Sequence, residues 1–244
     1  RGHGGAFHNI FVSGLILDLI KPAPARPNGI KHIFFRNIDN TAARLDEDWL
    51  VLVGLTIAQD LDILLEVAQR PAGQKGGTLI KHLDEQGRIL RTPITEDPSL
   101  AGTVLDPKEL AKQGKSAYYI NNAVATMAIS YLFKIYNTSL EELAAIAALP
   151  TKQREELLKD ITNRGFARYP INPVAKVVED SKGEALLGVV FETNMWESSC
   201  VDQPDLRLGA IDVDSVEVIR DFIKSKLGKP REYKTKDDKE REEF

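Results

Sequence analysis

Three short segments bring glycine, amide, carboxylate and basic groups together: Gly2-His3-Gly4-Gly5, Asn37-Ile38-Asp39-Asn40 and Lys75-Gly76-Gly77-Thr78. Glycines let a backbone approach a ligand closely and offer its amides, and His3 and Lys75 add side chains able to contact oxygen-rich groups. Asp39 follows an apolar run and is flanked by asparagines. It can hold a magnesium ion, which takes a few carboxylate ligands together with phosphate oxygens. The three segments together point to a sugar-phosphate or nucleotide site. Each also has a plainer alternative: a glycine-rich stretch that is only a turn, a solvated loop lysine at Lys75, and turn or helix-cap roles for Asp39 and Asn40, whose types bond readily to nearby amides. Their order and spacing favour the ligand.

Such segments need elements to position them. Between Ala6 and Ile20, apolar Phe7, Ile10, Phe11, Leu15, Leu17 and Ile20 fit one broad face of a helix. Pro22, Pro24 and Pro27 end it. His32 to Phe35 predicts a buried strand whose C-terminal end emerges into the site. Glu47 to Leu55 fits a helix, Asp62 to Ala68 a second strand, and Thr78 to Ile80 a short strand that turns at Asp84 to Gly87. Helices alternating with short apolar strands imply a layered α/β domain with a mixed or mostly parallel sheet, in which ligands collect at the C-terminal ends of the strands.

The texture changes from Asn121. Ala123 to Ile135 is apolar at helical spacing, and Ser139 starts a further helix with Glu141 and Glu142 in its first turn. Pro150 ends that helix, and the hydroxyl of Thr151 is expected to cap the next. Leu186 to Phe191 predicts a strand, and Val213 to Leu227 a helix beginning near Asp214. The charged tail Gly228 to Phe244 has too little apolar surface to offset chain entropy and is expected to be a frayed helix or a disordered end. These signals divide the chain into residues 1–100, 101–227 with a more helical stretch, and a tail over 228–244.

With 43% hydrophobic and 28% charged residues, the 244-residue chain has an ordinary globular composition. A net charge of -4 argues against a general nucleic-acid binder, which needs a surplus of Lys and Arg to displace counterions. Cys200 is the only cysteine, so no intrachain disulfide forms. No apolar run approaches bilayer length, and RGHGGAFHNI has no signal-peptide pattern. The reading is a soluble, cytoplasmic protein. Because the sequence opens on Arg1, directly inside a glycine-rich segment, it is expected to be a fragment, a processed product or a trimmed chain.

The segments GHGGAFHNIFVSGLILDLI, GIKHIFFRNIDNTAA and GQKGGTLI resemble the UTP–glucose-1-phosphate uridylyltransferases and the related UDP-sugar and UDP-N-acetylhexosamine pyrophosphorylases. The resemblance runs from Arg1 to about Leu90 and is faint beyond. It implies a partial fold of the nucleotide-diphospho-sugar transferase type with a more helical second half, in which residues 1–100 are the second half of a nucleotide-sugar-binding α/β domain and 101–227 a sugar-side α/β segment with a helical insertion. It implies that Gly2 lies against the uracil and His3 against the sugar or its phosphate. Asn37 and Asp39 would meet the sugar side, with Asp39 also binding magnesium as the catalytic residue. Gly76 and Gly77 would sit close to the hexose, beside Lys75. Asn121 and Asn122 look like the family's asparagine pair near the sugar, and Glu192 in VVFET resembles a sugar-binding acid. A helix cap at Asn121 or Asn122 and an ordinary strand-end acid at Glu192 remain the alternatives.

The implied substrates are UTP or a UDP-sugar and a sugar 1-phosphate. The sugar phosphate attacks the α-phosphorus of UTP and pyrophosphate leaves, so no protein nucleophile is needed, and none of His3, His8, His32 or Cys200 suggests one. Two features depart from the family. Its phosphate-cradling loop has no counterpart here and is expected before Arg1. Its later phosphate-binding lysine is missing from PDLRLGAIDVDSVEV, which offers Arg207, so either Arg207 substitutes for it or the chemistry has changed. A noncatalytic sugar-nucleotide-binding protein and a relative with another substrate are the competing expectations.

Overall fold

The run Ile63-Leu64-Leu65 sends successive side chains to opposite faces of a strand, so both faces must be covered. In the computed structural model they are. It describes residues 5–36, 47–71, 78–79, 82–83, 85–86, 89–91, 94–95, 117–168, 172–179, 183, 185–192, 198, 203 and 205–227. The elements are α1 (Gly5–Val12), α2 (Leu15–Ile20), β1 (His32–Arg36), α3 (Glu47–Ala58), β2 (Ile63–Pro71), β3 (Thr78–Leu79), β4 (His82–Leu83), β5 (Ile89–Arg91), β6 (Ile94–Thr95), β7 (Ala117–Ala128), α4 (Ile129–Tyr136), α5 (Leu140–Ala147), α6 (Thr151–Phe166), β8 (Asn172–Glu179), β9 (Ala185–Glu192), β10 (Leu208–Asp212) and α7 (Val213–Leu227).

Among the described residues the main sheet has six strands in the order β10-β2-β7-β3-β6, with β1 also on β7. β10 runs parallel to β2, and β7 is antiparallel to both β1 and β2, so the sheet is mixed. Rows of residues cross it with alternating destinations. Ile33, Met127 and Ile63 form one row, and Phe35, Ala125 and Leu65 another. Both rows face a core built with Phe7, Phe11, Tyr131, Tyr136, Leu158 and Ile161 from the helices α1, α4 and α6. The intervening row, Phe34, Thr126 and Leu64, faces the other way. On that side Val51 and Leu52 of α3 and Val216 of α7 close the smaller core, and Arg220 of α7 bonds Asp48 of α3 at 2.9 Å. The result is a layered α/β/α arrangement. Phe7, Phe11, Tyr131 and Tyr136 are essentially fully buried, each stabilising the fold by about 1.5–3 kcal/mol relative to exposure.

Several local expectations need correction. Ala6 to Ile20 is two helices, because Gly14 adopts φ 77° between them. Ala123 to Ile135 is a helix only from Ile129, since Ala123 to Ala128 continue β7. Paired on both edges and covered on both faces, that stretch lacks the alternation that marks a half-exposed strand. Thr151 is the first helical residue, and the cap position falls to Pro150 without a side-chain bond. Ser139 does cap α5, its Oγ accepting from the Glu142 N–H at 3.1 Å. The tail beyond Leu227 lies outside the described residues.

Candidate functional site

β1, β2 and β10 run in the same direction, and their C-terminal parts meet an irregularity in β7. Arg36, the last residue of β1, pairs with Val124. Val124 also pairs with Glu66 of β2, yet the next pair is Val67 with Asn121, so Asn122 and Ala123 are extra residues of a bulge. On the edge of β7 that carries β1, Thr78 of β3 pairs with Ile120. Asp212, the last residue of β10, pairs with Val67 on the far side of β2. Phe7, in the first turns of α1, meets Phe35 edge-on with ring centroids 5.2 Å apart. The start of α1, the end of β1, the start of β3 and the end of β10 therefore gather around the Asn121–Ala123 bulge.

Two side-chain bonds hold that bulge. The Asn121 carboxamide oxygen accepts from the Ala123 N–H at 2.9 Å, closing a short side-chain turn of the kind asparagine favours. Ala123 takes φ 57°, a left-handed conformation unusual for a residue with a Cβ. The Asn122 amide donates to Glu66 Oε1 at 3.1 Å across the sheet. Bulges of this sort re-aim side chains at the ends of sheets and next to binding sites. Neither asparagine is a helix cap.

Of the residues singled out from the sequence, Gly2, His3, Asn37, Asp39, Lys75, Gly76 and Gly77 lie outside the described residues. In sequence they adjoin the described positions that meet at the bulge: Gly2 and His3 precede Gly5, Asn37 follows Arg36, and Gly77 precedes Thr78. Asn121 and Asn122 are on the bulge itself. Glu192 ends β9 opposite Asn172, in a two-stranded sheet with β8 that is separate from the main one.

Arg207 stands at the other end of the main sheet. It immediately precedes β10, whose first residue pairs with Ile63, while the bulge is level with β10's last residue. Four residues of strand make that separation roughly 13 Å. The Arg207 guanidinium bonds Asp60, which with the nearby Asp62 raises its pKa above the ordinary arginine value. Asp62 is buried and accepts from the Arg207 N–H at 2.8 Å and from Lys134 Nζ at 2.8 Å. Arg207 is thus part of a lock joining β2, β10 and α4.

Glu66 was not picked out by sequence reasoning. Its signal was an acid embedded in the apolar run ILLEVA, a placement that demands a partner. Among the described residues no group of three or more His, Cys, Asp or Glu could hold a metal ion, and no helix is long and apolar enough to cross a membrane.

Residues 1–97 match the family model described as UTP–glucose-1-phosphate uridylyltransferase. Among solved structures, the chain is similar to UDP-glucose phosphorylase from Trypanosoma brucei, with 21% identity and a TM-score of 0.54 over 86% of this chain and 37% of that one. It is also similar to a protein described as a UDP-N-acetylglucosamine pyrophosphorylase from Entamoeba histolytica, with 15% identity and a TM-score of 0.50 over 87% of this chain and 43% of that one. At these identities the likeness is one of fold, and the chain spans about two-fifths of the length of either structure. The segment that matches the UTP–glucose-1-phosphate uridylyltransferase family model contains all three of the glycine- and asparagine-rich motifs whose adjoining residues surround the bulge.

Proposed function

We propose that this chain forms the sugar-phosphate side of a cytoplasmic uridylyltransferase, which makes a UDP-sugar and pyrophosphate from UTP and a sugar 1-phosphate. The observation that carries the reading is the convergence of the described ends of α1, β1 and β3 on the Asn121–Ala123 bulge, within a chain whose family match contains the segments leading to those ends. Asn121 and Asn122 supply amide groups for sugar hydroxyls, and Glu66 fixes the Asn122 amide. Gly2 and His3 take the uracil and sugar phosphate, Asn37 and Asp39 the sugar, and Gly76 and Gly77 give the hexose close backbone approach beside Lys75.

In this reaction an oxygen of the sugar phosphate bonds to the α-phosphorus of UTP as the bond to the departing pyrophosphate breaks. The protein has to align the two phosphates and neutralise growing charge, and needs no covalent intermediate. A magnesium ion held by Asp39 would supply part of that charge compensation.

Pyrophosphate release from UTP and glucose 1-phosphate, followed for the full-length gene product with and without magnesium, tests the reading. Magnesium-dependent release that falls at least a hundredfold in Asp39→Ala is expected. UDP-glucose binding without pyrophosphate release would leave a sugar-nucleotide-binding protein instead. Turnover unchanged in Asp39→Ala would overturn the metal assignment.

A further inference from the structure

A cavity of about 530 Å³ opens between α2, the segment that follows it, α5 and the first turn of α6. Its location sets it apart from the bulge. Lys31 on its wall precedes β1, and the five residues of that strand separate it from Arg36 by roughly 16 Å. The floor is apolar: Leu17 and Ile20 of α2, Pro22 and Pro27, and Leu140, Ala144 and Ala147 of α5. The alanines lie on one side of α5, four and seven residues after Leu140. Their small size leaves the space that larger residues would fill.

One wall is preorganised. Ala23 and Arg26 exchange two backbone hydrogen bonds, 3.1 and 2.8 Å long, and the Ile30 N–H returns to the Leu19 carbonyl at 2.8 Å. Gly29 is required in this return. It has φ 67°, and a Cβ there would run into the backbone of Ile20. The loop therefore holds Lys21 and Lys31 on a fixed frame rather than on a loose strand of chain.

The charges at the mouth do not balance. Lys21, Lys31 and Arg154 line the cavity against the single acid Asp18. Neither lysine has an ion pair among the described residues, and the Arg154 guanidinium only donates to Thr151 Oγ1 on its own helix, at 3.4 Å. A surplus of two positive charges thus surrounds an apolar floor in a chain whose net charge is -4. The volume falls within the range usual for small-molecule sites, which are mostly apolar with a few polar groups that fix orientation. We propose that this cavity binds an amphipathic organic anion, an apolar or aromatic body bearing a phosphate or carboxylate head, independently of the bulge site. The body lies on Leu17, Ile20, Ala144 and Ala147 while Lys21, Lys31 and Arg154 meet the head.

Calorimetric titration of the chain with 1-naphthyl phosphate tests this. Saturable binding of one molecule per chain is expected, with inorganic phosphate and 1-naphthol each binding at least tenfold more weakly. The double variant Lys31→Glu, Arg154→Glu should weaken 1-naphthyl phosphate at least tenfold, and an acid near the start of α6 suits the helix dipole. Ala144→Phe, which fills the floor from an exposed helix position, should also weaken it tenfold and decides the matter should the charge reversal prevent folding. UDP-glucose should not displace the probe. Absence of saturable binding, affinity unchanged in both variants, or displacement by UDP-glucose would overturn the proposal, and none of these results depends on catalysis at the bulge.

Discussion

Two polar side chains inside the sheet show how differently a buried hydrogen-bonding group can be treated. Asn122 has Glu66 as acceptor across the strand pair, and their bond shapes the bulge at the candidate site. Thr126, four residues further along β7, is fully buried between Phe34 and Leu64, and its hydroxyl has no hydrogen-bond partner among the described residues. A buried hydroxyl without a partner costs about 1–3 kcal/mol. Thr126→Val keeps the branched shape that suits a strand and removes the oxygen. It should raise stability by about 1 kcal/mol, seen as a higher urea midpoint with unchanged slope. A lower midpoint would mean that the hydroxyl is satisfied in solution.

At the scale of elements, α4 and α6 touch where Gly165 lies against the Tyr136 ring, which itself stacks on Phe11 with centroids 4.2 Å apart. A Cβ at position 165 would land inside that ring. Gly165→Ala gains about 1 kcal/mol of helix propensity, but overpacking a core commonly costs 1–3 kcal/mol. A net loss of about 1 kcal/mol is expected in chemical denaturation, together with a changed near-ultraviolet tyrosine signal. Little of this contact was legible in the sequence, because it joins residues 29 positions apart. What the sequence did reveal were elements with strong local signals: the β1 and β2 runs, the acid-led α3, the Ser139 cap, β9 and α7. Gly14 after Ser13 was a readable break between α1 and α2, overridden by the apolar spacing around it. The residues 123–128 were misread because a strand buried on both faces and paired on both edges has no polar period to show. The candidate site was legible as three motifs, whereas the bulge they adjoin depends on pairing between β2 and β7 across more than fifty residues, which no local pattern encodes.

For the molecule as a whole, the two ends of the sheet carry different chemistry: the bulge and strand ends at one, and the Asp62, Lys134 and Arg207 lock at the other. Charge at the lock and around it sets the response to acid. Asp205 is held below the usual aspartate range by hydrogen bonds from Gln203 and Lys134, and Glu141 is lowered by hydrogen bonds to its own backbone and to Ser139. His32, at the start of β1, is lowered by burial, which penalises its charged form. All three groups hold protons less tightly when folded, so each contributes stability above its unfolded pKa and loses it as pH falls through the folded value. Arg207 and Arg220 are raised instead and stay charged throughout, adding no slope. Two windows follow. As pH falls below the unfolded histidine value of 6.5, stability should decline through His32. Below about pH 4 the carboxylates should add a second decline, modest because both are solvent-exposed and screened. Urea midpoints measured at pH 8, 5 and 3.5 for the parent and His32→Gln check the sign: the variant should lose the first decline and keep the second, and an equally steep first decline in both proteins would assign it to other groups.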